Sequence, residues 1–362
     1  NANGGTLNIG GTSAITGLTA SAASNTVSYT GSGQTIKATT YDTLSVTGTA
    51  SNTSTTTVNT ALSGAGTLTN AAAGVLNIGG TAGITGLTAT ASGNTVNYTG
   101  TTQTLVVAAY HHLGLSGGAK TLGGITTVAG NLTLSSSATA TTGAALTVGG
   151  NLDVGTGTTF ATGATNTWTL GVTGTTGVTG TLTLANTGTK TFTGDVTINS
   201  GGVWNETGIA AIGYSGSLAH AGTTFTANSG VHTFSGTGKT ISGTLSIPSL
   251  TISGTTQNNG TLTVSTTLAG ASTLTNGATG TLNFGGSSIT PTLTASAAGN
   301  IVSYTGTGAT VKATTYDTLS VTGTASNSGT VTVNAALSGA GTLTNANGGT
   351  LNIGGTSAIT GL

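Results

Sequence analysis

Ten charged side chains carry whatever acid–base chemistry this chain of 362 residues can do. Five are carboxylates (Asp42, Asp153, Asp195, Glu206, Asp317) and five are lysines (Lys37, Lys120, Lys190, Lys239, Lys312). Hydrolysis of a glycosidic bond needs two carboxylates about 5–10 Å apart. Asp42 and Asp317 hold equivalent places in repeats far apart along the sequence, so they are not expected to meet within one chain. Only Asp195 and Glu206 are close in sequence, and they read as ordinary turn or surface residues. The pairs Lys37 with Asp42 and Lys312 with Asp317 repeat a five-residue offset around a turn. Each is expected to be a surface ion pair worth about 0–1 kcal/mol, the alternative being a binding patch that recurs along the chain. With no Cys there is no thiol nucleophile, thiolate ligand or disulfide. His111 and His112 are adjacent, which on a strand points them to opposite faces and makes shared metal ligation awkward. His220 and His232 are distant in sequence, and GGNLD at 149–153 is a poor partial match to the calcium pattern G-G-x-G-x-D. No catalytic residue, metal or cofactor is expected.

Aromatic residues recur in step. Tyr29, Tyr98 and Tyr304 share one sequence context, and Tyr41, Tyr110 and Tyr316 share another. They read as two columns, candidates for a surface or lateral-contact stripe or for stacks that stiffen the chain. Trp204, two residues before Glu206, is the best single candidate for a distinctive contact. Thr-x-Thr pairs at 55–57, 181–183 and 191–193 suggest an ice-binding face, but their spacing is too irregular for a flat array.

The elements that must position these residues are strands. Charged residues are 3% of the chain, against roughly 25% in soluble globular domains, while 64 residues are Gly and 35% are hydrophobic. Disordered segments are poor in β-branched residues, whereas Val, Ile and Thr recur throughout this chain. Short apolar/polar alternations such as Leu132-Thr-Leu134, Val196-Thr-Ile198 and Leu262-Thr-Val264, bounded by Gly, Asn or Ser, are strand signals. Net charge is +0 and the lysines are scattered singly, so nothing forms an electrostatic footprint for nucleic acid or an anionic membrane. No apolar run of about 18 residues is present to span a bilayer as a helix. The absence of Met fits an internal or processed piece of a longer protein.

Repeats occur at two scales. Residues 1–18 and 345–362 are identical, NANGGTLNIGGTSAITGL, which defines a long repeat, 1–344, that begins again at Asn345. Within it LNIGG or LNFGG starts at Leu7, Leu76, Leu282 and Leu351, giving a shorter unit of about 69 residues. NTVSYTG, NTVNYTG and NIVSYTG at 25–31, 94–100 and 300–306 keep the same step. The stretch 118–270 has diverged, and any specific function is expected there. Short Gly-bounded strands in nested repeats fit a propeller or a solenoid. A propeller closes after a fixed number of blades, whereas a solenoid adds turns without limit. The reading is all-β: a parallel β-helix over 1–362, an elongated rod with turns of about 18–23 residues. About 17 turns stacked at 4.8 Å would make one repeat roughly 80 Å long.

Runs such as GAGTLTNAAAGVLNIGG (64–80), GAGTLTNANGGTLNIGG (339–355) and TVAGNLTLSSSATATTGAALTVGGNLDV (127–154) resemble the repeats of large secreted bacterial surface proteins. The nearest class is the filamentous-haemagglutinin and autotransporter-passenger type. That resemblance covers essentially the whole chain and implies a right-handed parallel β-helix displayed outside a bacterial cell, with adhesive or scaffold roles. A chain without Cys or Met and with few lysines would also resist oxidation and trypsin-like cleavage, which suits an extracellular place. The expected function is a structural protein of an extracellular fibre, with the stalk of a surface adhesin as the alternative and an enzyme third. Expected partners are other copies, end to end through tandem repeats and laterally in filaments. Nothing in the residues supports a glycan or host-surface ligand.

Overall fold

Alternation decides which side chains face inward. In Thr261–Val264 (TLTV) Leu262 and Val264 are buried and both threonines are half-exposed, and Thr67–Asn70, Val75–Ile78 and Thr181–Leu184 follow the same pattern. Threonine suits the outer pleat because its branched Cβ favours extended backbone, and Gly, Asn and Ser end each run after a few residues. The computed structural model describes residues 1–165 and 167–362, and every regular element among them is a strand.

Leu132–Ser135, Thr139–Thr141 and Leu146–Val148 make one turn of chain. Leu152–Val154, Thr159–Ala161 and Leu170–Val172 make the next, each lying parallel and in register on the strand one turn before. Three strands per turn, repeated over about 18 turns in all, define a parallel β-solenoid. Turn length varies more widely than the sequence suggests. Thr26 stands beside Thr43, a turn of 17, while Leu152 stands beside Thr176, a turn of 24.

The chain divides into two compact units, Asn1–Thr183 and Leu184–Leu362. In the first, Leu76, Val96, Leu113, Leu132 and Leu152 stack in one column and are at most 1% exposed. In the second, Leu262, Leu282, Val302, Leu319 and Leu337 form a comparable column, each 0% exposed. Full burial of one such side chain contributes about 1.5–3 kcal/mol, so these columns dominate the stabilising side of folding. Corner polar groups are satisfied by asparagines. Asn52 Nδ2 donates to Asn70 Oδ1, Asn258 to Asn276 and Asn327 to Asn345, each at 2.8 Å. The same three amides also donate to the backbone oxygens of Val75, Thr281 and Thr350 one turn on.

The sequence unit and the turn are out of step. From Leu7 the column runs through Val27, Leu44 and Leu62 to Ala82, four turns on. The sequence equivalent of Leu7 is Leu76, six residues short of that point, and it stacks on Thr56 instead. In the second unit Leu282 reaches Ser357 after four turns, while its equivalent Leu351 stacks on Val331. With three faces per turn, six residues is about one face. Equivalent residues of successive sequence units therefore stand on neighbouring faces.

Candidate functional site

The recurring tyrosines do not form a surface stripe. Tyr29, Tyr41, Tyr98, Tyr110, Tyr304 and Tyr316 are all buried, at most 2% exposed. Nor do they form columns. Tyr29 stacks between Ile9 and Val46, Tyr98 between Ile78 and Leu115, and Tyr304 between Phe284 and Val321; within the first unit the step of the sequence unit carries Tyr98 to the face next to that of Tyr29.

The two tyrosines of each unit instead meet head to head. Tyr29 and Tyr41 hydroxyls lie 3.1 Å apart, those of Tyr98 and Tyr110 3.0 Å, and those of Tyr304 and Tyr316 3.1 Å. Lys37 N–H donates to Tyr29 Oη at 3.0 Å, and Tyr41 Oη–H donates to the Lys37 carbonyl at 2.7 Å. The proton directions follow: Tyr29 must donate to Tyr41, closing a ring of three hydrogen bonds around one corner residue. Val106 and Lys312 sit in the same ring with Tyr98–Tyr110 and Tyr304–Tyr316. Only the backbone of the corner residue takes part, which is why Lys, Val and Lys serve equally. Burial pushes the Tyr41, Tyr98, Tyr110, Tyr304 and Tyr316 hydroxyls above the usual phenol range.

The residue after the second tyrosine caps a neighbouring turn. Asp42 Oδ2 accepts from Ser24 N at 3.0 Å, and Oδ1 accepts from Thr60 Oγ1 at 2.7 Å. Asp317 Oδ2 takes the equivalent Gly299 N–H at 2.9 Å. Lys37 and Asp42 are therefore not the ion pair expected; Asp42 is 9% exposed and aimed at backbone. In the second sequence unit His111 takes the same role, its Nδ1 accepting from Gly93 N at 3.3 Å. His112 Nδ1 accepts from Asn131 N at 2.9 Å. The two imidazoles do not point to opposite faces. Their ring centroids are 4.3 Å apart, edge to face, because His111 lies at the corner before the strand that His112 begins. With each Nδ1 accepting a backbone proton, each neutral ring carries its own proton on Nε2, which disfavours metal ligation there. No group of three metal-ligating side chains occurs among the described residues.

The most unusual chemistry is buried in the second unit, where it overlaps the divergent stretch 118–270. Trp204, expected as a surface contact, is 0% exposed and stacks on Phe225 at 5.9 Å. Its Nε1 donates to Glu206 Oε1 at 2.7 Å, and Asn228 N donates to Oε2 at 3.0 Å. His232 Nε2 lies 3.0 Å from both carboxylate oxygens, and its Nδ1 lies 3.0 Å from the Gly230 carbonyl. Both imidazole nitrogens thus face acceptors, so the pair shares a proton as imidazolium and carboxylate or as its neutral equivalent. Phe192, Tyr214 and Phe234 stack in register beside it. Burial, then Glu206, raises the Tyr214 hydroxyl. Lys190 is buried as well, with Nζ donating to Asn186 Oδ1 at 2.7 Å and to the Gly188 carbonyl. Burial pushes its ammonium down to about 8, against an opposing pull from Glu206.

The two carboxylates closest in sequence are thus held apart by burial. Asp195 lies on the surface, capping Ser217 N at 2.8 Å with Lys239 Nζ 4.0 Å away, while the Glu206 side chain is closed in the core. A carboxylate pair facing one groove needs both in solvent, and this pair does not provide it. In the first unit an open polar depression of about 530 Å³ lies over Gly114, between Asn97 and Thr133 and beside His112. Gly114 stands there where the sister units have serine, Ser45 and Ser320. Sequence reasoning missed the tyrosine ring, although the constant spacing of its two tyrosines was readable.

No family model matches the chain. No curated protein and no solved structure is detectably similar to it.

Proposed function

We propose that this chain is a structural protein, a stretch of an extracellular fibre built from tandem β-solenoid repeats. The observation that carries the reading is how the second repeat begins. Residues 345–362, identical to 1–18, stack in parallel register on the preceding turns: Thr350 on Thr330, Ile353 on Val333 and Thr356 on Ala336. One repeat is therefore able to pass into the next without a break in the ladder, and turns added this way extend length without a new core. The buried roles of the recurring tyrosines, asparagines and Asp42 support the same reading, since what repeats is what holds turns together. Resemblance to filamentous-haemagglutinin and autotransporter-passenger repeats supports right-handed winding and display outside a bacterial cell, and the lack of Cys and Met fits that place.

Electron micrographs of native material test this. Uniform filaments with an axial period of roughly 80 Å, from about 17 turns at 4.8 Å, are the expected result. Short globular particles would overturn it. The resemblance to autotransporter-passenger repeats supports a second reading, the stalk of an adhesin that presents a separate binding domain. A distinct terminal domain in the full gene, in place of further copies of the long repeat, would decide for it.

A further inference from the structure

Lys190 is set apart from Lys120, the other buried lysine, by what its amine faces. Lys120 Nζ donates to two backbone carbonyls, those of Gly100 and Gly118. Lys190 Nζ also takes a backbone carbonyl, that of Gly188, but adds the side-chain carboxamide of Asn186, 2.7 Å from Oδ1. Alternation carries all three residues inward: Asn186, Gly188 and Lys190 are buried, while Thr187 and Thr189 between them are exposed. Gly188 N donates to Asn186 Oδ1 as well, at 2.9 Å. Two donors on one atom identify it as the oxygen, which leaves Nδ2 as the other substituent of Cγ. Lys190 is 0% exposed and Asn186 2%, so amine and amide meet out of water. Around them, Lys190–Phe192 lies in register on Ile212–Tyr214, and the charge of Glu206 reaches the amine.

We propose that Lys190 and Asn186 form an intramolecular isopeptide bond: the lysine nitrogen attacks Cγ of the asparagine amide and ammonia leaves. The Nζ–Cγ bond forms as the Cγ–Nδ2 bond breaks. One proton of the amine passes to Nδ2, and the departing ammonia takes up the proton that the lysine ammonium gave up. An ammonium ion is released, and the atoms balance without a further reactant. The site favours the step in several ways. Burial lowers the lysine to about 8, so a share of the side chain is already the neutral nucleophile near neutral pH. The Gly188 N–H sits on the oxygen where negative charge develops as the carbon becomes tetrahedral, the role of an oxyanion donor. Nζ already rests against the carbonyl it attacks, so little side-chain freedom remains to be lost. Closure of the site keeps out water, which would otherwise compete for the same carbon. The product replaces a buried ammonium, costly in the core, by a neutral amide and sends the charge to solvent. The bridged loop is short, so the gain lies in removing that charge more than in constraining the unfolded chain. Until it reacts, Lys190 titrates as a buried amine; the linked chain has lost that group. This inference does not depend on the role of the protein in a fibre.

Mass spectrometry of the full chain, held folded near the pH at which the buried amine loses its proton, tests the bond. The expected product is lighter than the sequence requires by one ammonia. Trypsin then places the loss, because it does not cleave after an acylated lysine. Digestion of the unfolded product should cut after Lys120 and Lys239 but not after Lys190, giving a peptide of residues 121–239 short of one ammonia. Lys120, buried against backbone carbonyls, is the internal control for complete digestion. Lys190→Arg keeps the positive charge without a nucleophilic amine, and Asn186→Ala removes the amide. Both variants should keep the mass their sequences require and be cut after residue 190. Complete cleavage after Lys190 in the unsubstituted chain, with circular dichroism showing it folded throughout the incubation, overturns the proposal. So does a loss of ammonia that leaves Lys190 cleavable, since that marks closure of an asparagine on its own backbone. Where a variant fails to fold, the digest of the unsubstituted chain still decides.

Discussion

At the level of single residues, function in this chain is support. Each tyrosine ring ties one corner to the core, and its hydroxyls have no water to fall back on. Tyr110→Phe leaves the Val106 carbonyl without its hydroxyl donor and the Tyr98 hydroxyl proton without its acceptor. Leaving a buried polar group unsatisfied costs about 1–3 kcal/mol, so the urea midpoint should fall, and Tyr41→Phe and Tyr316→Phe should do the same. An unchanged midpoint for all three would show that the ring adds nothing. His111 tests the cap: His111→Asp restores the acceptor of the sister units and should leave stability within about 0.5 kcal/mol, while His111→Ala should cost about 1 kcal/mol.

Charge inside the core also makes stability depend on pH. An unfolded lysine loses its proton near 10.4, whereas burial brings folded Lys190 down to about 8. Between these values the unfolded chain holds the extra proton, so stability rises with pH there, by up to about 3 kcal/mol. Lys120, lowered by burial too, acts in the same direction. The tyrosines act oppositely. Unfolded phenols ionise near 10 while the buried ones keep their protons, so stability falls as pH climbs past about 10. Urea midpoints measured at pH 7.5, 9.5 and 11 should therefore peak at the middle value, and Lys190→Met should flatten the rise but keep the fall.

At the scale of the strand and its corner, the chain's path depends on a few close approaches. Gly64 has φ +115°, and a Cβ there would lie 2.0 Å from the Val46 carbonyl oxygen. Gly270 and Gly339 repeat the situation against Ile252 and Val321. Gly64→Ala combines an unfavourable backbone with a clash against main chain. It should destabilise by more than about 2 kcal/mol, read as a drop in melting temperature. The sequence shows a glycine at these places but not which glycine touches backbone, since many others face open space.

At the scale of the molecule, the sequence by itself determined that the chain is all-β, that it repeats at two nested scales, and which side chains alternate inward. Inward and outward follow from a local rule, the two-residue period of a strand, so Leu76, Val96 and Leu262 could be placed in the core on sight. Which face a residue stands on is not local. It is the accumulated length of every turn before it, and turns of unequal length slip the sequence unit by about one face in four turns. That slip is why Tyr29 and Tyr98, matched in sequence, never stack on each other. Trp204 could be singled out yet not seen to face inward, because the alternation in Val203–Glu206 fits either set pointing in and the groups that satisfy buried Glu206, Asn228 N and His232, come from the next turn. Only the tertiary structure decided those, together with the pairing of each tyrosine hydroxyl.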